Sequence, residues 1–223
     1  WNYQEATSVA VDANDRIYVF NRGTSPMVVF DTDGNMVDNW GEGQFSNPHG
    51  VTVAPDGNLF TVDNGDGTIK KFTPSGELLM TLGEANKPTP KMSGEPFSVP
   101  THVGVDKKTG EFYVADGYSN ARVHKYSPEG NHLFSWGESG TGEGQLKHPT
   151  GVAIGSGGAT YVTDSFNSRI QAFDSSGNFL RKWGSYCDLL GTGGTTWGST
   201  LGGGCIDPDT SGPLQLGDGQ FKF

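Results

Sequence analysis

The sequence predicts an all-β protein, a β-propeller of four-stranded blades, and three observations carry that prediction. The 223 residues include 35 glycines but only 33% hydrophobic residues, the balance of many short strands joined by tight turns. No stretch places apolar residues at helical spacing over three turns. The chain also repeats itself: segments starting at Ser8, Gly50, His102 and Gly151 align, 42, 52 and 49 residues apart, close to the spacing of propeller blades, about 40–50 residues.

Each repeat supplies the same four pieces in the same order. A first strand reads SVAVD (8–12), GVTVA (50–54), HVGVD (102–106) and GVAIG (151–155). A second strand such as FYVA (112–115) follows a turn carrying Gly or Asn, and a third such as IQAF (170–173) follows a tight loop. The turns DTDG (31–34), TPSG (73–76), SPEG (127–130) and DSSG (174–177) put Gly where the backbone needs a positive φ. Each leads into a fourth strand ending in Trp40-Gly41, Leu82-Gly83, Trp136-Gly137 or Trp183-Gly184. A four-stranded blade cannot bury both faces alone, so repetition is obligatory.

The repeats occupy residues 1–184. A Gly/Thr-rich insertion follows at 185–216, and then GDGQFKF (217–223). GEGQF (41–45) and GEGQL (142–146) lead directly into a following blade, so 217–223 reads as the approach to one more. Propellers have roughly 4–8 blades, and the expectation is a ring that these four repeats do not close. Such an arc exposes strand edges and is expected to self-associate.

The net charge of −10 argues against nucleic acid as a partner, because an acidic surface repels phosphate. No apolar run reaches the roughly 18 residues that a membrane span needs. Cys187 and Cys205 sit together in the polar insertion, 18 residues apart, and read either as a disulfide worth about 3 kcal/mol or as two loop thiols. The disulfide implies an oxidising compartment, extracellular or periplasmic. There is no G-x-S-x-G elbow, no Gly-rich phosphate loop with Lys and no C-x-x-C.

The repeat wording, G-V-A-V-D…Y-V-x-D…N-x-R-I-x-x-F…G-x-F-L-x-x-W-G, resembles NHL repeats across nearly all of residues 5–184. Residues 1–148 resemble a narrower group. YVFNRG (18–23), NPHGVTV (47–53) and VADGYSNARVHKYSPEG (114–130) are similar to peptidyl-α-hydroxyglycine α-amidating lyases, or peptidylamidoglycolate lyases. The resemblance implies a six-bladed propeller with zinc held by three histidines at the channel mouth and calcium in the channel, releasing a peptide amide and glyoxylate. It assigns Arg22 to the substrate carboxylate, Tyr118 to proton abstraction, His49 to zinc, and the Val9 and Val51 carbonyls to calcium. Two positions depart from the pattern: Thr150 stands where the second zinc histidine belongs, and Ser165 where the family has a further arginine. One histidine is short of the three protein ligands usual for catalytic zinc.

Each site residue has a plainer reading as well. His49 can be a turn residue, Arg22 the partner of an Asp in a neighbouring loop, and Tyr118 a packing residue between blades. His102, His124 and His132 read as strand caps or solvent-facing side chains, with His102 the one placed to face the channel. The acidic runs DNGDG (63–67) and DPDT (207–210) read as turns rather than calcium loops. Two functions therefore stand side by side: an extracellular propeller that binds a peptide, glycan or protein at its mouth and is catalytically degenerate, and a metal-dependent lyase of the named family.

Overall fold

The computed structural model describes residues 4–184. The insertion at 185–216, its two cysteines and the 217–223 lead-in lie outside the described residues. The described strands form four antiparallel four-stranded sheets, one per repeat, with strands in sequence order. Blade 1 is β1 (Ala6–Val11), β2 (Ile17–Asn21), β3 (Met27–Phe30) and β4 (Met36–Trp40). Blade 2 is β5 (Pro48–Val53), β6 (Leu59–Asp63), β7 (Thr68–Phe72) and β8 (Leu78–Leu82). Blade 3 is β9 (His102–Val105), β10 (Phe112–Asp116), β11 (Arg122–Tyr126) and β12 (His132–Trp136). Blade 4 is β13 (Pro149–Ile154), β14 (Thr160–Asp164), β15 (Arg169–Phe173) and β16 (Phe179–Trp183). The register slips between third and fourth strands at the same place in every blade, at Phe30, Phe72, Tyr126 and Phe173, and such irregularities sharpen the twist of a sheet.

The first strands are innermost: β1 packs on β5, β5 on β9 and β9 on β13. The core lies between blades rather than within them, because alternate residues of each strand face opposite neighbours. Val51 and Leu59 of blade 2 pack on Tyr18, Phe20, Met27 and Val29 of blade 1. Val103, Phe112 and Val114 of blade 3 repeat this on Phe60, Val62 and Ile69. Val152, Val162 and Phe173 of blade 4 do so on Tyr113, Ala115 and Val123. The Trp-Gly ends now have a physical reason. The Trp40 indole donates to Pro74 O at 3.2 Å and lies over the next blade's TPSG turn, where a Cβ on Gly76 would sit 2.7 Å from the ring; Trp136 covers Gly177 in the same way.

The two end faces carry the same pattern without a neighbour among the described residues. Val9 is 62% exposed, whereas its repeat equivalents Val51, Val103 and Val152 are 3%, 1% and 3% exposed. At the other end Thr163 is exposed and Tyr161 and Ile170 are half-buried, although their equivalents in blades 2 and 3 are buried.

A buried carboxylate ends the second strand of blades 2, 3 and 4, and each clamps the linker that enters its own blade. Asp63 accepts the Ser46 and Asn47 amides at 2.6 and 2.8 Å. Asp116 accepts those of Ser98 and Val99 at 2.8 and 2.9 Å, and Asp164 accepts that of Lys147 at 2.6 Å. Lys70 at 3.8 Å and Arg169 at 2.7 Å bring the opposite charge to Asp63 and Asp164, and His124 Nε2 hydrogen-bonds Asp116 at 3.3 Å. His124 therefore neither caps a strand nor faces solvent: it is fully buried, with one ring nitrogen on Asp116 and the other on Ser135 Oγ at 2.7 Å. Removing a carboxylate strands several buried donors at about 1–3 kcal/mol each. Asp116→Ala is expected to lower stability to denaturant by roughly 3 kcal/mol or more, and Asp116→Asn by less, since one amide oxygen still accepts; equal midpoints for Asp116→Ala and the parent chain contradict the clamp.

Candidate functional site

The clamps hold the linkers and the loops between second and third strands at one end of the inner strands, the mouth of the channel. Backbone bonds repeat the arrangement in blade after blade: Arg22 N donates to Glu5 O at 3.1 Å, Asn64 N to Asn47 O at 3.2 Å, Tyr118 N to Val99 O at 3.4 Å and Ser165 N to His148 O at 3.3 Å. Four successive repeats thus deliver side chains to one rim.

Three of the residues singled out by sequence meet there. The His49 ring donates from Nδ1 to Thr101 O at 2.8 Å. A carbonyl only accepts, so Nδ1 carries the proton and Nε2 presents its lone pair. The Tyr118 hydroxyl donates to that Nε2 at 2.9 Å, and the two rings meet edge to face with centroids 5.3 Å apart. Gly117 is what lets Tyr118 reach this point, because a Cβ there would lie 1.7 Å from Pro149 O. On the other side of His49, Arg22 Nε donates to Pro48 O at 3.3 Å and its guanidinium pairs with Glu5. The acidic neighbour of Arg22 is thus a glutamate of its own blade's entry linker, whose side chain is 71% exposed. An exposed pair of this kind is worth about 0–1 kcal/mol, so a ligand carboxylate can replace Glu5 at little cost.

The remaining assignments separate. Thr150 and Ser165, the two departures, bond to each other through their hydroxyls, and Thr150 also meets Thr163 Oγ1 at 3.1 Å. His102 lies along the inner strands and accepts the Val152 amide on Nδ1 at 3.4 Å, much as Ser8 Oγ accepts the Val51 amide at 3.1 Å; it links blade 3 to blade 4. Val9 and Val51 hold matching positions on β1 and β5, strands with a partner on one edge only. Among the described residues no three His, Cys, Asp or Glu side chains gather as a metal would require. His49 has the unprotonated nitrogen, here taken by the Tyr118 hydroxyl, and the carbonyl-anchored opposite nitrogen of a metal-bound imidazole, yet alone it does not make a zinc site, and two carbonyl positions are short of the 6–8 oxygens that calcium takes.

Sequence reading did not single out Phe166 or Glu5. Phe166 is 60% exposed and stacks on His148, ring centroids 3.9 Å apart and 13° from parallel. The signal was the repeat itself, since Asp164-Ser165-Phe166 occupies the register of Asp116-Gly117-Tyr118. His148 reaches Phe166 from a left-handed backbone, φ +56°, and its ring lies 5.9 Å from that of Tyr118.

The comparisons with known proteins bear on the repeats and the fold. The profile of the NHL repeat family matches residues 45–72 and 146–173, which run from the linker into the third strand of blades 2 and 4. The chain carries NHL repeats. This NHL-repeat chain is 40% identical over 109 residues to peptidyl-alpha-hydroxyglycine alpha-amidating lyase 1 of Drosophila melanogaster, covering 48% of this chain and 19% of that protein. It is 32% identical over 188 residues to NHL repeat-containing protein 3 of Homo sapiens, covering 78% of this chain and 54% of that protein. It therefore spans about a fifth of the first relative and about half of the second. Among solved structures, a streptogramin B lyase superposes with a TM-score of 0.63 at 13% identity, over 81% of this chain and 55% of that one; at that identity the likeness is one of fold. No helix among the described residues is long and apolar enough to cross a membrane.

The mouth histidines make stability depend on pH. Burial holds His49 below the usual imidazole value, the Arg22 charge pushes the same way, and the bond to Thr101 opposes both. Burial also lowers His102, helped by His49, and His148, helped by Lys147. A depressed imidazole takes up its proton in the unfolded chain first, so its stabilisation is complete above the unfolded value of about 6.5 and is lost as pH falls through the folded value. Denaturant midpoints are expected to drop between pH 7 and 5, with a shallower drop in His49→Gln; a midpoint that stays flat or rises on acidification contradicts these environments.

Proposed function

We propose that the mouth of this propeller binds a peptide by its terminal carboxylate, with Arg22 as the grip and the His49–Tyr118 pair beside it. The observation that carries the reading is that Arg22, His49 and Tyr118, from three different blades, converge on one rim, with Arg22 steadied by the Pro48 carbonyl and its charge met by an exposed glutamate. A guanidinium forks onto a carboxylate with two charge-assisted bonds, and it offers a glycan or a neutral protein surface nothing comparable. In this reading the site is catalytically degenerate relative to the lyases, because Thr150 and Ser165 stand where a zinc ligand and a second arginine belong.

A second reading, an α-hydroxyglycine lyase, is favoured by the Tyr118 hydroxyl lying on the His49 lone pair and by the identity to the Drosophila lyase. There Tyr118 would take the proton that must leave the substrate hydroxyl, and His49 Nε2, unprotonated because Nδ1 donates to Thr101, would be the nitrogen given to zinc in place of the Tyr118 hydroxyl. The calcium assigned to the Val9 and Val51 carbonyls and the zinc assigned to His49 belong to this reading. On either one the Cys187–Cys205 pair fits an extracellular or periplasmic setting, and the faces of blades 1 and 4 that have no neighbour among the described residues suit the chain to self-association.

One titration separates the two. A short acetylated peptide ending in α-hydroxyglycine is added to the chain, with its carboxyl-terminal amide as control. The carboxylate is expected to bind and the amide not, and Arg22→Ala is expected to weaken binding about tenfold, some 1.4 kcal/mol. Unchanged affinity in Arg22→Ala contradicts carboxylate capture. Glyoxylate release that Tyr118→Phe abolishes establishes the lyase in place of the degenerate binder.

A further inference from the structure

We propose that Phe166, backed by His148, forms a subsite for a large apolar or aromatic side chain on the residue preceding the carboxylate-bearing one, so that the mouth selects peptides by that residue. The inference rests on the carboxylate reading above and adds a specificity determinant to it.

The repeat puts Phe166 on blade 4 where blade 3 has Tyr118, one step further round the rim. Blade 3 thus presents a ring with a hydroxyl, which bonds His49, and blade 4 a ring with no polar atom. Most large apolar side chains of this fold are spent between blades, whereas Phe166 is 60% exposed in the loop that opens on the mouth. With His148 stacked on one face at 3.9 Å, that exposure falls on the other face and the ring edge.

The platform is also fixed in place. Phe166 N donates to Lys147 O at 3.0 Å and Ser168 N to Ser165 O at 3.0 Å. Asn167 Nδ2 donates to Gly140 O at 2.9 Å and to Asp164 at 2.8 Å. An aromatic surface already immobilised loses little entropy when a ligand side chain stacks on it, and offset or edge-on ring pairs add to the area they bury. Thr150, Thr163 and Ser165 beside Phe166 are uncharged and bonded among themselves, and the side chain of Lys147, whose backbone carbonyl takes the Phe166 amide, is exposed to water. A charged ligand side chain therefore finds only a solvated partner there, which screening makes weak, and a neutral ring loses no interaction with water that it needs.

The continuity of the rim decides which ligand residue arrives. Arg22 adjoins His49 through Pro48, Tyr118 touches His49, and His148 lies 5.9 Å from Tyr118. A peptide whose carboxylate is at Arg22 runs past His49 and Tyr118 before its preceding side chain reaches Phe166.

The test titrates the 223-residue chain with acetyl-Phe-Gly, acetyl-Ala-Gly and acetyl-Glu-Gly, each with a free carboxylate. The Phe probe is expected to bind about tenfold tighter than the Ala probe, and the Glu probe no tighter than Ala. In Phe166→Ala the Phe probe is expected to fall to within about twofold of the Ala probe, whose affinity stays unchanged, while Phe166→Leu keeps part of the preference. Unchanged affinity of the Ala probe also shows that the variant is folded at the mouth. Equal affinities of the Phe and Ala probes in the parent chain, or a preference surviving in Phe166→Ala, overturn the subsite alone. Binding of none of the three probes overturns the carboxylate reading and the subsite with it.

Discussion

The buried carboxylate at the end of each second strand is the constraint on which the mouth depends. Strand pairing fixes each blade and apolar packing fixes blade against blade, but neither says how the connecting segments lie. Asp63, Asp116 and Asp164 supply that. Each takes amides of the entering linker, which no strand partner would otherwise satisfy, and each is itself fully buried, so a failed bond would have no water to fall back on. Because the acid occupies the same register in three blades, it fixes the linkers and loops that lead to His49, Tyr118, His148 and Phe166 at one end of the inner strands. Blade 1 uses Asn21 instead: its Oδ1 accepts Gly23 N at 2.7 Å and its Nδ2 donates to Ser25 O and Pro26 O at 3.0 and 3.1 Å. The same position there shapes the loop carrying Arg22 without bringing in a charge.

Function at such a rim is composite by construction. No blade holds a site; Arg22, His49 and Tyr118 are each one blade apart, and each is aimed by a backbone contact rather than by packing. His49 is oriented by a carbonyl from the linker of the next blade, Arg22 by the carbonyl of Pro48, and Tyr118 by the close approach of Gly117 to Pro149. The result is an ion pair and hydrogen-bonded rings at blades 1 to 3 and an exposed aromatic ring among hydroxyls at blade 4, the gradient on which the proposed peptide reading rests. The lyase chemistry and the binding chemistry differ over that gradient only at its polar end, where the identity of a few ligands around His49 decides between them.

Much of the fold was legible because its signals are local. The P-x-G turns, the alternating four- to six-residue strands and the Trp-Gly ends each report on a few neighbouring residues, and repetition multiplied them. The site was legible in part, and through resemblance: the contexts N-R-G, P-H-G and D-G-Y marked Arg22, His49 and Tyr118. What they touch was not. Glu5 as the partner of Arg22 and Asp116 as that of His124 are pairings across a turn of the fold, and sequence spacing carries no direction for a side chain. His124 lies between Val123 and Lys125 on β11 and so looks like a surface residue, until the buried acid of β10 is placed beside it. His148 reaches the rim with its own backbone left-handed, φ +56°, directly before Pro149, a conformation uncommon enough for a non-glycine residue that sequence does not announce it. Phe166 stood in plain register with Tyr118, but a lone Phe in a loop reads as packing.

Amide hydrogen exchange tests the clamp most directly in the unaltered chain. Ser46, Asn47, Ser98, Val99 and Lys147 lie in linkers, where amides ordinarily exchange fast through local opening. If the buried carboxylates hold those linkers, these five amides exchange nearly as slowly as those of the second strands, such as Val114. If they exchange as fast as the turn amides of Gly34 and Gly57, the linkers are not clamped and the rim is not built by the acids that end the second strands.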